Sequence, residues 1–202
     1  MDDHLVDLYL MEIEQHLVDS LDCIARVNQC LQILHSSDRK NGANANSELF
    51  RELHAFANHA ASASRVFWPG VGSMKKESRE RAEKRAIFLR ALLDLDETHE
   101  LAKRTLRNSF EHYDEALDDW AENSRNRNIV IQFIGPPSAI GGDGIDASDI
   151  FTCYNPQEKI FYFRGQQFDI QKIVTAINAL LTSVQNERAN VHKRAYGEPL
   201  KP

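Results

Sequence analysis

The chain has 202 residues, of which 42% are hydrophobic and 27% are charged, and its formal net charge at pH 7 is −6. This composition is typical of a soluble globular protein with a hydrophobic core and excludes an intrinsically disordered chain. The acidic balance provides no overall positive field for a nucleic acid, so an RNA substrate would have to bind at a local basic patch.

The cysteines and the N-terminus indicate a cytoplasmic protein. Three cysteines without a Cys-x-x-Cys pair give no disulfide framework, and Cys23 and Cys30 fit one buried helical face. Residues 1–4 are acidic and lack the basic and apolar regions of a signal peptide. No stretch approaches the roughly twenty apolar residues that a membrane-spanning helix needs.

The first part of the chain has helical periodicity. Apolar residues recur in steps of three and four from residue 3 to about 36, which predicts one long helix. We then expect a loop at 38–46 and a second helix from Ser47, as its N-cap, to about Trp68. A basic third helix is predicted at about 76–93, and a fourth at roughly 97–122. The apolar face of the fourth helix is formed by Leu106, Phe110, Tyr113, Leu117 and Trp120.

The period changes to two after residue 127, which predicts β structure. We expect a strand at 128–134, a loop at 135–148 and a hairpin of 149–154 with 159–164, with a short continuation at 167–168. A last helix is predicted at about 170–194. The fold class is therefore mainly α, a bundle of four to five helices with a small antiparallel β unit before the last helix. We expect one domain over 1–202, with a helical core at 1–124 and 170–195 and a β insertion at about 127–169.

The sequence gives no strong metal or cofactor signal, and we expect neither. His54 and His59 are five residues apart, about 140° around a helix, whereas paired metal ligands favour a spacing of four. The chain contains no Glu-x-x-His motif. The glycine-rich segment 141–144 lacks the Lys-Ser/Thr and the helix of a phosphate-binding loop.

Arg107, Asn108 and His112 lie on the fourth helix but outside its apolar face. Together they supply what metal-free RNA cleavage needs. An imidazole can exchange protons with the 2′-hydroxyl and the 5′-oxygen near neutral pH. A guanidinium can bind phosphate oxygens in a bidentate manner, and an amide can donate to phosphate or hold the imidazole. With Lys103 and Arg104 nearby, this is also one of the most basic parts of the chain, so a phosphate-bearing substrate is expected here.

The Arg-x4-His spacing with Asn directly after the Arg resembles the motif of the HEPN superfamily. These are helical-bundle proteins, many of them metal-independent ribonucleases. The resemblance implies that His112 is the acid/base, that Arg107 binds the scissile phosphate and that Asn108 supports both. It further implies an RNA substrate, a homodimer whose motifs meet in a cleft, and a toxin or stress/defence role with an antitoxin or regulatory protein as a partner.

The resemblance covers the motif and, loosely, residues 1–122. The β unit is not part of a minimal HEPN domain. HEPN toxins that are paired with a minimal nucleotidyltransferase carry a modifiable tyrosine two residues after the histidine, whereas Tyr113 follows His112 directly.

A second hypothesis is a non-catalytic helical interaction protein. Arg107 and Glu111 are spaced for an ordinary ion pair on one helix, and His112 would then be a surface histidine. On an ideal helix Arg107 and His112 lie about 140° apart. They would form one site only if the helix is irregular there or if a second subunit completes the site.

Overall fold

The mainly α prediction is confirmed. The computed structural model describes residues 1–36, 39–141 and 144–197. It is 68% helical, with a small sheet before the last helix. Within the described ranges the helices are α1 Asp3–His35, α2 Arg39–Phe67, α3 Lys76–Leu92, α4 Thr105–Glu111, α5 Tyr113–Asn123 and α6 Ile170–Tyr196, and the strands are β1 Phe133–Ile134, β2 Cys153–Asn155, β3 Ile160–Phe163 and β4 Gln166–Asp169. None of the helices in these ranges has the length and apolar character needed to cross a membrane.

The chain divides into two compact units. The first, here called the helical unit, comprises Met1–Asp22, Phe56–Arg104 and Val174–Pro202. The second, here called the mixed unit, comprises Cys23–Ala55 and Thr105–Ile173. The helices α1, α2 and α6 contribute residues to both units. Organisation as a single domain stays a prediction.

The helical unit has a core formed by one face of each long helix. Its buried side chains recur in steps of three and four, because such residues lie above one another on a helix. They include Leu10, Ile13 and Leu17 of α1, Phe56, Ala60, Ala63 and Phe67 of α2, and Ile177, Leu180 and Val184 of α6. The Ser64 hydroxyl, also fully buried, donates to the Leu101 carbonyl at 2.6 Å. Ala60, Ala63 and Ser64 of α2 thus lie in the core of this unit.

The mixed unit contains a four-stranded sheet in the order β1-β2-β3-β4. The predicted antiparallel pairing is confirmed for β2, β3 and β4, but β1 pairs with β2 in parallel. The chain between β1 and β2 returns to the starting edge through two short 3-10 turns, so both strands run in one direction. The predicted strand 128–134 is shorter than expected, because Gln132 has a left-handed φ of 55° that interrupts the extended backbone.

Two helical predictions are wrong. Residues 39–46 are helical rather than a loop, so Ser47 lies inside α2; residue 38 lies outside the described residues. Ala45 and Leu49 are both buried and four apart, which extends the apolar face of α2 toward its start.

The predicted helix 97–122 is broken into a 3-10 turn at Glu100–Ala102, then α4 and α5. Arg104, with a φ of +42°, separates the turn from α4 because a left-handed residue cannot continue a helix.

All three cysteines are buried, as expected for Cys23 and Cys30. Burial raises the pKa of the Cys153 thiol to about 11. A thiol that stays protonated at neutral pH is a poor nucleophile. The glycine-rich segment predicted to be a loop includes residues 142 and 143, which lie outside the described residues.

Asp149 is a buried carboxylate, 2% exposed, that connects α5 to the start of the sheet. One of its oxygens accepts hydrogen bonds from Trp120 Nε1 and Ser124 Oγ, both at 3.0 Å. The other accepts from the Asp146 backbone N–H at 2.9 Å, within a 3-10 turn at Ala147–Asp149. A buried carboxylate with three donors is satisfied, and it fixes these groups relative to one another.

We expect Asp149→Ala to lower the free energy of unfolding by roughly 2–4 kcal/mol, because three donors lose a buried acceptor. The measurement is urea denaturation followed by circular dichroism. Asp118→Ala is the matched control, since Asp118 is exposed on α5, and a change of at most about 0.5 kcal/mol is expected there. Equal losses in both variants would contradict a structural role for Asp149.

Candidate functional site

The helix is irregular at the predicted histidine. α4 ends at Glu111 and α5 begins at Tyr113, and His112 between them has φ −102° and ψ 31°. The His112 N–H still donates to the Asn108 carbonyl at 3.1 Å, and the Ala116 N–H donates to the His112 carbonyl at 3.1 Å. The distortion is therefore confined to one residue.

Asn108 and His112 open into the same cavity of about 590 Å³ in the mixed unit. The residues around the α4–α5 break supply Thr105, Asn108, Ser109 and His112 to its wall, and the β3–β4 turn supplies Arg164 and Gln166. Most of these side chains are polar. The predicted i,i+4 relation of Asn108 and His112 thus places both at one opening.

His112 is accessible and oriented. Its side chain is 62% exposed, and its Nδ1 lies 3.1 Å from Glu115 Oε1. When Nδ1–H donates to this carboxylate, the neutral imidazole keeps its lone pair on Nε2. An exposed imidazole that is oriented by a carboxylate can accept a proton and return it.

Arg107 does not join this site within one chain. Its guanidinium forms an ion pair with Glu111, the i,i+4 pair that the sequence spacing allowed. Among the residues that the structure describes, the wall of the His112 cavity does not include Arg107. The predicted trio is therefore only partly brought together.

Lys103 and Arg104 belong to the helical unit. Lys103 pairs with Glu100 at 3.3 Å. Arg104 lines a different cavity, together with Trp68 and Glu97. Desolvation, and secondarily the charge of Arg65, lowers the pKa of the Arg104 guanidinium.

Arg164, like Glu115, is a cavity residue that the sequence did not single out. It lies in a tight turn between β3 and β4, where Arg164 and Gly165 both have positive φ. Its guanidinium bonds to Asp119 Oδ2 at 2.6 Å and donates to the Ala116 carbonyl. It also lies 5.5 Å from the Phe151 ring centroid and is only 16% exposed. The hairpin could be predicted from the sequence. The contacts of Arg164 with Asp119 and Ala116 could not, because these partners lie 45 and 48 positions earlier in the chain.

The predicted apolar face is only partly buried, since Phe110 and Tyr113 are half-buried and Leu117 is 38% exposed. Phe110 packs against Phe161 with ring centroids 5.4 Å apart, and Tyr113 packs edge-on against Phe151 at 5.2 Å. Burial raises the pKa of the Tyr113 hydroxyl. These two side chains therefore need no functional explanation.

The cavity combines an exposed imidazole, an amide, hydroxyl groups and a guanidinium. Such a set can exchange a proton and hydrogen-bond a polar or anionic ligand. No protein-family model, no curated protein and no solved structure matches this chain.

We expect Arg164→Gln to raise the pKa of Asp119. The Arg164 hydrogen bond, followed by one from Asn123, holds the pKa of the Asp119 carboxyl below its ordinary value of 3.8. Since the folded-state pKa is depressed, the stabilisation is present above about pH 4 and is lost as the pH falls through the folded-state pKa. The measurement is a carboxyl carbon NMR titration of Asp119.

Arg125→Gln is the control for this titration, because Arg125 is an exposed arginine of the same unit. It should leave the Asp119 titration curve unchanged. An unshifted curve in Arg164→Gln would show that the guanidinium does not hold the carboxylate in solution.

Proposed function

We propose that the chain is a HEPN-like, metal-independent endoribonuclease and that the His112 cavity is where RNA is cleaved. The observation that supports the proposal most is the joint opening of Asn108 and His112 into one polar cavity at the break between α4 and α5. The Arg-x4-His motif supplies the reaction class, and the cavity supplies room for a nucleotide.

In the proposed reaction His112 moves the protons. Nε2 accepts the proton of a 2′-hydroxyl, whose oxygen attacks the adjacent phosphorus. The bond to the 5′-oxygen breaks, and the imidazolium returns a proton to that leaving group. The products are a 2′,3′-cyclic phosphate and a 5′-hydroxyl. Glu115 orients the imidazole, and Asn108 donates a hydrogen bond to the phosphate.

The phosphate charge is the demanding part of this proposal. Arg107 can reach a phosphate only by exchanging Glu111 for it, and Arg164 is held by Asp119 and Ala116. The side chains of Arg107 and Arg164 are only 19% and 16% exposed, whereas their carboxylate partners are 41% and 56% exposed. A phosphate diester would therefore have to displace a partly exposed carboxylate from a largely buried arginine. A homodimer that brings a second motif to the cleft would supply the missing cation. Lys103 and Arg104 of the helical unit stay proposed phosphate contacts on the basis of their charge alone.

The proposal extends to a biological role. A cytoplasmic ribonuclease of this class would act as a toxin or as a stress/defence factor. Such an activity has to be restrained, so an antitoxin or another regulatory protein is the proposed partner. Because Tyr113 directly follows His112 and its half-buried ring packs against Phe151, we do not propose its modification as the means of control.

A non-catalytic interaction protein is the second candidate function. The observation in its favour is that Arg107 and His112 are each paired with a carboxylate on the same segment, Glu111 and Glu115. In this case the motif is a surface ion-pair network, and neither Arg107 nor His112 is available to bind a substrate.

We expect cleavage of single-stranded RNA in the presence of EDTA, with the rate reduced by about 10²- to 10⁴-fold in His112→Ala, because the proton-transfer group is lost. The measurement is gel analysis of an end-labelled RNA. His4→Ala, purified in the same way, is the control, since His4 is an exposed histidine on α1. Equal rates in all three proteins would assign the cleavage to a contaminant. If the wild type does not cleave RNA, the ribonuclease proposal is wrong and the non-catalytic interaction protein is the candidate function that remains.

A second experiment tests the shared site. If Arg107 of one subunit serves His112 of the other, Arg107→Ala and His112→Ala are each inactive alone, but their mixture regains activity. Half of the dimers in an equal mixture are mixed, and each has one intact site of two, so about a quarter of the wild-type rate is expected. Light scattering gives the oligomeric state. A dimer whose mixture stays inactive would place both residues in the same subunit's site.

A further inference from the structure

A cluster of three metal-binding side chains lies in the helical unit. His16 and Asp19 are three residues apart on α1 and therefore share a face. His59 extends from α2 toward them. One ligand atom from each residue lies within 4.8 Å of the others. His54, whose spacing from His59 is unfavourable for metal binding, stacks on Phe110 at 4.6 Å.

The two imidazoles face each other through the same ring atom. His16 Nδ1 and His59 Nδ1 are 3.4 Å apart, and His59 Nδ1 is 3.7 Å from Asp19 Oδ2. A nitrogen–nitrogen distance of 3.4 Å is long for a direct hydrogen bond, which is usually about 2.7–3.2 Å for N–H donors. Two nitrogens that bind one tetrahedral Zn²⁺ at about 2.0–2.1 Å lie roughly 3.3–3.4 Å apart.

The groups around the cluster orient its ligand atoms. His16 Nε2 lies 3.3 Å from Glu12 Oε1, so this carboxylate can accept Nε2–H and leave the lone pair on Nδ1. Gln15 Nε2 donates to Asp19 Oδ1 at 2.9 Å, which leaves Oδ2 turned toward His59. Metal-binding histidines and carboxylates usually have such second partners.

The cluster is anchored but still accessible. The side chains of His16, Asp19 and His59 are 26%, 33% and 33% exposed. The fully buried Ser20 donates its hydroxyl to the His16 carbonyl at 2.9 Å, which fixes the helix at this point. An ion can therefore reach the three ligands from solvent.

We propose that His16 Nδ1, His59 Nδ1 and Asp19 Oδ2 bind one divalent transition-metal ion of the zinc class. Two imidazoles and one carboxylate are ligands that suit Zn²⁺. They do not suit Mg²⁺ or Ca²⁺, because these ions prefer sites made only of oxygen ligands. The ion joins α1 to α2 within the helical unit and keeps a water-bound position. The proposed site differs from the expectation of no metal that was drawn from the sequence. None of the three ligands belongs to the proposed RNA-cleavage site.

The test is equilibrium dialysis of the untagged, EDTA-treated chain against Zn²⁺, with Co²⁺ absorption to report the coordination geometry. We expect one ion per chain, a Co²⁺ spectrum of the intense four-coordinate type, and a melting temperature that rises with Zn²⁺. His16→Asn and His59→Asn should each abolish these three effects. Glu12→Gln should weaken Zn²⁺ binding by about 10- to 100-fold, because it removes only the orienting carboxylate.

Matched controls separate the site from general surface binding. Asp19→Asn should lose the ion, whereas Asp22→Asn, which removes an exposed carboxylate three residues later on α1, should bind as the wild type does. His4→Asn should likewise bind normally. Since Glu12 is 63% exposed, its variant keeps the test valid even if a histidine variant fails to fold. No Zn²⁺ binding by the wild type, or equal binding by Glu12→Gln and Asp19→Asn, would overturn the proposal.

Discussion

The buried carboxylate of Asp149 is the interaction on which the candidate site most depends. It holds Trp120 and Ser124 at the end of α5 and the backbone of Asp146 before the sheet. Arg164 then attaches the β3–β4 turn to the same helix through Ala116 and Asp119. Ala116 and Arg164 line the cavity, and Asp149 fixes the chain beside another lining residue, Ser148, so the cavity is positioned by groups that do not themselves perform chemistry. This is the usual relation between a site and its supporting contacts.

The spacing of hydrophobic residues was sufficient to predict the three helices that run without a break over the predicted range. Those at 3–36, 76–93 and 170–194 agree with α1, α3 and α6 to within one or two residues. The break at His112 could not be predicted, because the apolar face of α4 and α5 continues through it without interruption. The parallel pairing of β1 also gives no local signal, since it depends on where a long connection returns the chain.

The same limit applies to the candidate sites. The shared opening of Asn108 and His112 follows from their i,i+4 spacing, and the Arg107–Glu111 pair does as well. Arg164 in the cavity wall and His59 beside His16 were not predictable, because the pairs are separated by about fifty and by forty-three residues in the chain. Short-range geometry is contained in a single sequence, whereas contacts between distant segments require the fold.

The interleaving of the two units has a consequence for how the chain is made. Asp7 on α1 is bonded to Arg188 on α6, 181 positions later, at 3.3 Å. Because a ribosome releases the chain in order, α1 has to wait for α6 before the helical unit can close. Contacts of such long sequence separation slow folding, and the exposed apolar face of α1 needs protection during that interval. The acidic side chains of α1, including Asp7, repel other nascent copies of the same segment until the arginine arrives.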